Sequence, residues 1–417
     1  MADRRITLAG LLVSAGFVGA ALAAAILPEP ARQGMWLPVH LALAGGAGTA
    51  VASVLPYFVG ALSVSSPVSG FVRWGAIGLV AGGAAAASVG VVGGIEPLAL
   101  AGALGYLAGL VGVAVAAFWP LRAGRGGRRG LVVAAYGAAV AQVGIGVSLV
   151  IAMLAGWPPV VEGWALLKPA HAWLNVFGFL SVVIAATLVH LAPTVAGSRI
   201  IPRRTALAAL AGLVSGAPLI ALGLAVGDDR VARIGALAEL LGAIGLMAHA
   251  IAVRRDRGTW TTDPGWHRLT SWSLLAAQAW FLVAVVIASG RVLWLGALPE
   301  VWSLGSIAAP LVVGWIVQVL IGAWSHLLPS IGPGDLAAHA HQRATLGRAA
   351  TWRVGALNLG VALVTLGGAL AWSTAAVIGL IVCGGAILTS LVVFVEAART
   401  GRPRGVSGQP APAVWGG

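Results

Sequence analysis

Residues 131–155 read LVVAAYGAAVAQVGIGVSLVIAMLA, a run without one charged side chain; Arg122-Ala123-Gly124-Arg125-Gly126-Gly127-Arg128-Arg129-Gly130 precedes it and Gly156-Trp157-Pro158 comes after it. A helix needs about 20 apolar residues, at about 1.5 Å rise each, to cross the hydrocarbon of a bilayer. This stretch is long enough, is basic at one end, and meets a tryptophan at the other. Eleven more stretches of this kind are predicted near 6–27, 38–62, 71–94, 97–119, 169–194, 205–226, 231–253, 268–290, 303–329, 352–372 and 374–397. The expected fold is all-α: one polytopic transmembrane bundle of about twelve helices over 1–400, with a Pro/Gly-rich, disordered cytoplasmic tail over 401–417.

Composition agrees. Hydrophobic residues make up 59% of the chain and charged residues 9%, and mean hydropathy is +0.97. Soluble domains carry about 25% charge, so the solvent of this chain is the lipid bilayer. The net charge of +13 is spread over short loops and does not indicate nucleic acid. Cys383 is the only cysteine, which excludes an internal disulfide, a thiolate zinc site and an iron–sulfur cluster.

The loops alternate in charge. Twenty of the twenty-five basic residues fall on one side of the twelve spans; Arg32, Lys168, Arg230, Arg233 and Arg291 fall on the other. The positive-inside rule then places both termini in the cytoplasm, in a bacterial inner membrane. Trp36, Trp157, Trp164, Trp294 and Trp302 would form an interfacial belt on the arginine-poor face. Asp3-Arg4-Arg5 and the apolar run after it suit an uncleaved first helix better than a signal peptide, whose apolar core is shorter. The loop over 330–351, with Gly-Pro-Gly-Asp and His-Ala-His, reads as irregular.

Two spans resemble each other. Gly178 is followed by His190 and Pro193; Gly314 is followed by His326 and Pro329, at the same spacings. The second span ends similarly, at Ser53-Val54-Leu55-Pro56, without the histidine. These elements lie four spans apart, which predicts three four-helix repeats of like orientation. The many small residues, as in Gly82-Gly83-Ala84-Ala85-Ala86-Ala87, would let helices approach closely.

Ionisable groups are costly in lipid and are functional candidates there. His40 and His171 each come two residues after a proline, so they are expected at similar depth near the arginine-poor face, with Asn175 one turn below His171. Two imidazoles facing across a bundle hold a haem iron or, with a third ligand, copper. The alternative is that each bonds a carbonyl at the interface. His190, His249 and His326 form a second layer near the arginine-rich ends, either as metal ligands or as side chains bonded to late carbonyls. From His171 to His190 is about 28 Å of helix, so the two layers cannot share a metal. Glu239 is the one acid deep within a span: a proton-relay or ion-coupling carboxyl, or a neutral acid held within the bundle.

Lys168-Pro169-Ala170-His171-Ala172-Trp173-Leu174-Asn175-Val176-Phe177-Gly178 resembles the His-x-His-Leu-Asn-x-x-Gly motif of membrane proteins related to subunit I of the haem–copper oxidases. Nearest in pattern are NnrS-type proteins and actinobacterial membrane proteins associated with multicopper oxidases or copper nitrite reductases. The segments from Trp36 to Leu41 and from Gly314 to Ala323 are similar to parts of that group, and three four-helix arcs are its architecture. The resemblance implies haem or copper, electron transfer or a copper- or nitrogen-oxide-related role, a redox protein or copper enzyme as partner, and ligands at His40 and His171. Trp173 stands where the motif has its second histidine, and no His-His dipeptide or His-Pro-Glu-Val-Tyr segment occurs, so oxygen reduction is not implied. Two alternatives remain: a secondary transporter using Glu239, or a non-catalytic membrane scaffold for a copper enzyme. No span is obviously broken around a charged site, which counts against the transporter.

Overall fold

The computed structural model describes residues 2–123, 130–200, 203–257, 266–331 and 335–400. The expected tail over 401–417 lies outside them. Among the described residues there is no strand, and twelve helices are long and apolar enough to cross a membrane. They are α1 (Arg4–Ala25), α2 (Glu29–Ser63), α3 (Gly70–Val92), α4 (Glu96–Arg122), α5 (Gly130–Leu154), α6 (Trp164–Ala196), α7 (Arg204–Val226), α8 (Asp229–Arg255), α9 (His267–Leu295), α10 (Pro299–Ser330), α11 (Ala350–Ala369) and α12 (Ser373–Arg399). The chain is an all-α polytopic membrane bundle.

Burial sorts the twelve into two classes. The central parts of α2, α6 and α10 are 78%, 78% and 67% buried, against 28–50% for the other nine. The three buried helices are the second of each four-helix group, as a threefold repeat requires. Around them each helix packs on the next, and α12 returns to α1. One contiguous cluster of buried apolar side chains joins all twelve.

The third and fourth helices of each group form a tight hairpin, and glycine is the reason. A methyl on Gly212 of α7 would come within 2.6 Å of Gly242 of α8, and one on Gly102 of α4 within 2.3 Å of the Ala87 backbone of α3. With no hydrophobic drive between helices in lipid, such backbone approach supplies the van der Waals contact that holds them.

The repeat has a second signature that the sequence did not reveal. Each central helix contains a π-helical stretch, in which the backbone bonds skip one extra residue: Leu41–Ala47 in α2, Trp173–Ser181 in α6 and Ala309–Val317 in α10. The last two are equal in length. In each the glycine, Gly178 or Gly314, is the sixth residue, and the histidine comes nine residues after the end. Trp315 Nε1 donates to Ser181 Oγ at 3.1 Å, so these two stretches touch. Pro56, Pro193 and Pro329 then interrupt the same three helices near the arginine-rich face. A proline leaves the carbonyl four residues earlier without its helical donor. In α6 that carbonyl belongs to Val189, and the His249 ring leans on it. In α2 the Arg73 guanidinium donates to the adjacent Ser53 carbonyl and to Thr7 Oγ1, both at 2.9 Å.

Two expectations are corrected. The loop over 330–351 is not irregular throughout: Leu336–Leu346 is a helix that contains His339 and His341, and the Asp335 carboxylate caps it by accepting from Ala338 N–H at 2.9 Å. Gly332, Pro333 and Gly334 lie outside the described residues. Pro169 is not at a first turn, because its helix starts at Trp164 and the proline is internal. Trp302, expected in the interfacial belt, is half-buried and packs edge-on against Trp173 and Phe177.

Candidate functional site

The outer histidines lie at the starts of two central helices. His40 ends the regular turns of α2 immediately before its π stretch, and His171 stands two residues before that of α6. A π turn widens the helix and rotates the turns before it relative to the turns after it, so each imidazole is aimed by the local backbone. His40 lies within electrostatic reach of His171 and of Lys168.

The two rings are held alike. The Trp36 carbonyl accepts from His40 Nδ1 at 2.8 Å, and the indole of Trp36 stacks on the imidazole with centroids 4.0 Å apart. The Gly146 carbonyl of α5 accepts from His171 Nδ1 at 2.9 Å. Asn175 is at hand: its Nδ2 donates to the His171 carbonyl at 2.6 Å and lies 3.0 Å from Nδ1. A carbonyl partner fixes the proton on Nδ1, which leaves Nε2 with its lone pair. Neither Nε2 is engaged by another described residue. Outer-shell bonding of this type orients histidines that ligate metals. The expectation that these histidines bond carbonyls and the expectation that they are ligands are therefore compatible.

Trp173 is fully buried and heads a chain of aromatic rings. It stacks on Phe177 at 4.3 Å; Phe177 meets Phe281 of α9 at 6.4 Å, and Phe281 stacks on Trp315 of α10 at 4.6 Å. Sequence reasoning missed this chain. Its one local signal is the four-residue spacing of Trp173 and Phe177, which any packed helix face also shows.

The inner histidines have separate surroundings. His249 of α8 lies 3.5 Å from Thr205 Oγ1, next to the Val189 carbonyl. His326 of α10 is within reach of His267. His190 is on α6, one residue after Val189. Among the described residues no three His, Cys, Asp or Glu side chains stand close enough together to hold a metal.

Glu239 is wholly buried in α8. Its carboxyl lies against Gly216 of α7, where a methyl would meet Oε2 at 2.5 Å. The carboxyl leans on the Ala217 backbone without reaching hydrogen-bond geometry with any described group. At the adjoining level Gln142 Nε2 donates to the Val214 carbonyl at 3.3 Å, while its Oε1 faces Gly178.

Comparison with known proteins matches the chain to no family model and to no curated relative. The geometry of the site carries the functional argument by itself.

Proposed function

We propose that this chain is a membrane redox protein of the haem–copper oxidase subunit I-like type, which holds haem or a copper ion through His40 and His171 and serves electron transfer or the handling of copper or nitrogen oxides. One observation supports the reading: two imidazoles from two of the three central helices lie within electrostatic reach of each other, each with Nδ1 on a backbone carbonyl and Nε2 unengaged among the described residues. Two neutral imidazole nitrogens suit haem iron; copper would need a third ligand, and among the described residues no three His, Cys, Asp or Glu side chains stand close enough together to supply one. A bound iron or copper supplies a one-electron couple. The chain's own part is to fix both tautomers through Trp36 and Gly146 and to hold the backbone of His171 through Asn175. The protein would sit in a bacterial inner membrane with both termini cytoplasmic, opposite a soluble redox protein or copper enzyme.

The test is an absorption spectrum and metal analysis of protein purified after growth with ample haem and copper. A Soret band or about one equivalent of copper is expected, lost in His40→Ala and in His171→Ala. Colourless, metal-free wild-type protein overturns the reading.

A second reading, coupled transport, rests on Glu239. A buried carboxyl without a hydrogen-bond partner among the described residues is the kind of group that exchanges a proton or cation. It requires that Glu239→Gln abolish coupled uptake in vesicles; uptake with unchanged coupling removes it.

A further inference from the structure

A sizeable cavity lies away from the outer histidines. It is an open slot of about 1090 Å³ between α8, α9 and α11 at the arginine-rich face. Each wall is a helical stripe. Met247, Ile251 and Arg254 line one side; Trp272, Leu275, Ala276 and Ala279 form the back; Thr351, Val354, Gly355 and Asn358 line the other. Every stripe spans seven residues, so the slot runs about 10 Å along the helices. That depth stays within one leaflet, which is about half of the 30 Å hydrocarbon core.

The slot is apolar along its length and cationic at its mouth. Arg254, Arg255 and Arg257 all border it, and Arg255 and Arg257 are exposed. Among the described residues none of the three makes an ion pair. The acid between them, Asp256, is taken by Arg203 at 2.5 Å, so the mouth keeps its positive charge. The polar floor asks nothing of a ligand: Asn358 accepts from Trp280 Nε1 at 2.7 Å and donates to the Val354 carbonyl at 2.8 Å. The volume exceeds that of most small-molecule pockets, about 300–1000 Å³. Of its lining, Ile251 and Trp272 are exposed.

We propose that this slot is a binding site for an anionic phospholipid, with the phosphate at Arg254, Arg255 and Arg257 and an acyl chain along Ile251, Leu275 and Ala279. Basic clusters at helix ends attract anionic headgroups, at about 1 kcal/mol for each charge near the surface. The proposal is independent of the histidine pair and holds whether or not that pair binds metal.

The test is native mass spectrometry of the full-length protein in detergent with phosphatidylglycerol or phosphatidylcholine of identical acyl chains. Preferential retention of phosphatidylglycerol is expected. Arg255→Gln/Arg257→Gln should reduce that preference roughly fivefold for each arginine removed; Arg254 is kept because it donates to Ser271 Oγ at 2.8 Å and ties α8 to α9. Gly355→Leu should lower retention of both lipids, because a side chain there meets nothing within 4 Å and projects into the slot. Should that variant not fold, the arginine pair still decides the matter. Equal retention of the two lipids, a preference that survives the double substitution, or stabilisation by inorganic phosphate as large as that by phosphatidylglycerol would each overturn the proposal.

Discussion

Asn175 shows how much of the site depends on side chains that touch no ligand. Its amide donates to the His171 carbonyl, so it restrains the backbone that carries the imidazole. Groups behind a metal-ligating histidine typically contribute 10–100-fold to metal affinity. Asn175→Ala should therefore weaken metal or haem binding by about that factor. Because one ordinary hydrogen bond contributes about 1 kcal/mol, the loss in folding stability should be small. Titration of the apoprotein alongside thermal unfolding separates the two effects: a large loss of stability with unchanged affinity would make Asn175 purely structural. His171 and Asn175 were legible as a pair from their four-residue spacing. The depth of the outer histidines was not legible from the prolines, because Pro169 is internal to its helix. Nor were the carbonyl partners, because the Gly146 carbonyl that receives His171 belongs to another helix and no local pattern points to it. Glu239 stood out as the one deep acid, but its fit against Gly216 depends on how closely α7 and α8 approach.

Helices that are apolar on all sides expose their lengths to a reader of sequence and conceal their faces. The spans expected at 205–226 and 231–253 are observed as Arg204–Val226 and Asp229–Arg255. The π stretches were invisible, because a uniformly apolar run carries no phase from which one extra residue could be detected. Pro169 misled for a related reason: proline suits a first turn, yet here it is five residues inside its helix. Small residues were read correctly as packing surface in general, and only the structure says which ones matter. Gly83 lies against the Tyr106 backbone, whereas its neighbour Gly82 faces open space. This contrast makes a prediction for the α7/α8 hairpin. Gly212→Leu must separate two backbones and should cost at least about 1–3 kcal/mol, the usual effect of overpacking. Gly137→Leu and Gly144→Leu on α5 place the same side chain where nothing lies within 4 Å and should leave unfolding nearly unchanged. Equal effects from the two sets, measured by thermal unfolding in one detergent, would refute glycine-mediated packing as the cause of the hairpin's cohesion.

At the scale of the whole molecule, three arcs of four helices surround α2, α6 and α10, and four spans per arc give every arc the same orientation. The outer histidines must then share a face with the loops after α1 and α5, and the arginine-lined slot must open on the opposite face. That arrangement is tied to the charge asymmetry, because translocating an arginine-rich loop is opposed in proportion to its charge. Reporter fusions test it directly. A fusion at Ser198, after α6, or at Gly347, before α11, should be active only as a cytoplasmic reporter. Fusions at Gly94, Gly156, Gly227 and Gly296, which lie between consecutive helices at the other ends, should be active only as periplasmic reporters. A single inversion within this series would break the equivalence of the arcs. An inversion at Gly156, just before α6, would also separate His40 from His171 across the membrane and end the case for a shared site. An unbroken alternation would leave both imidazoles at the face that a periplasmic electron donor or copper enzyme can reach, and would put the basic slot in the leaflet facing the cytoplasm.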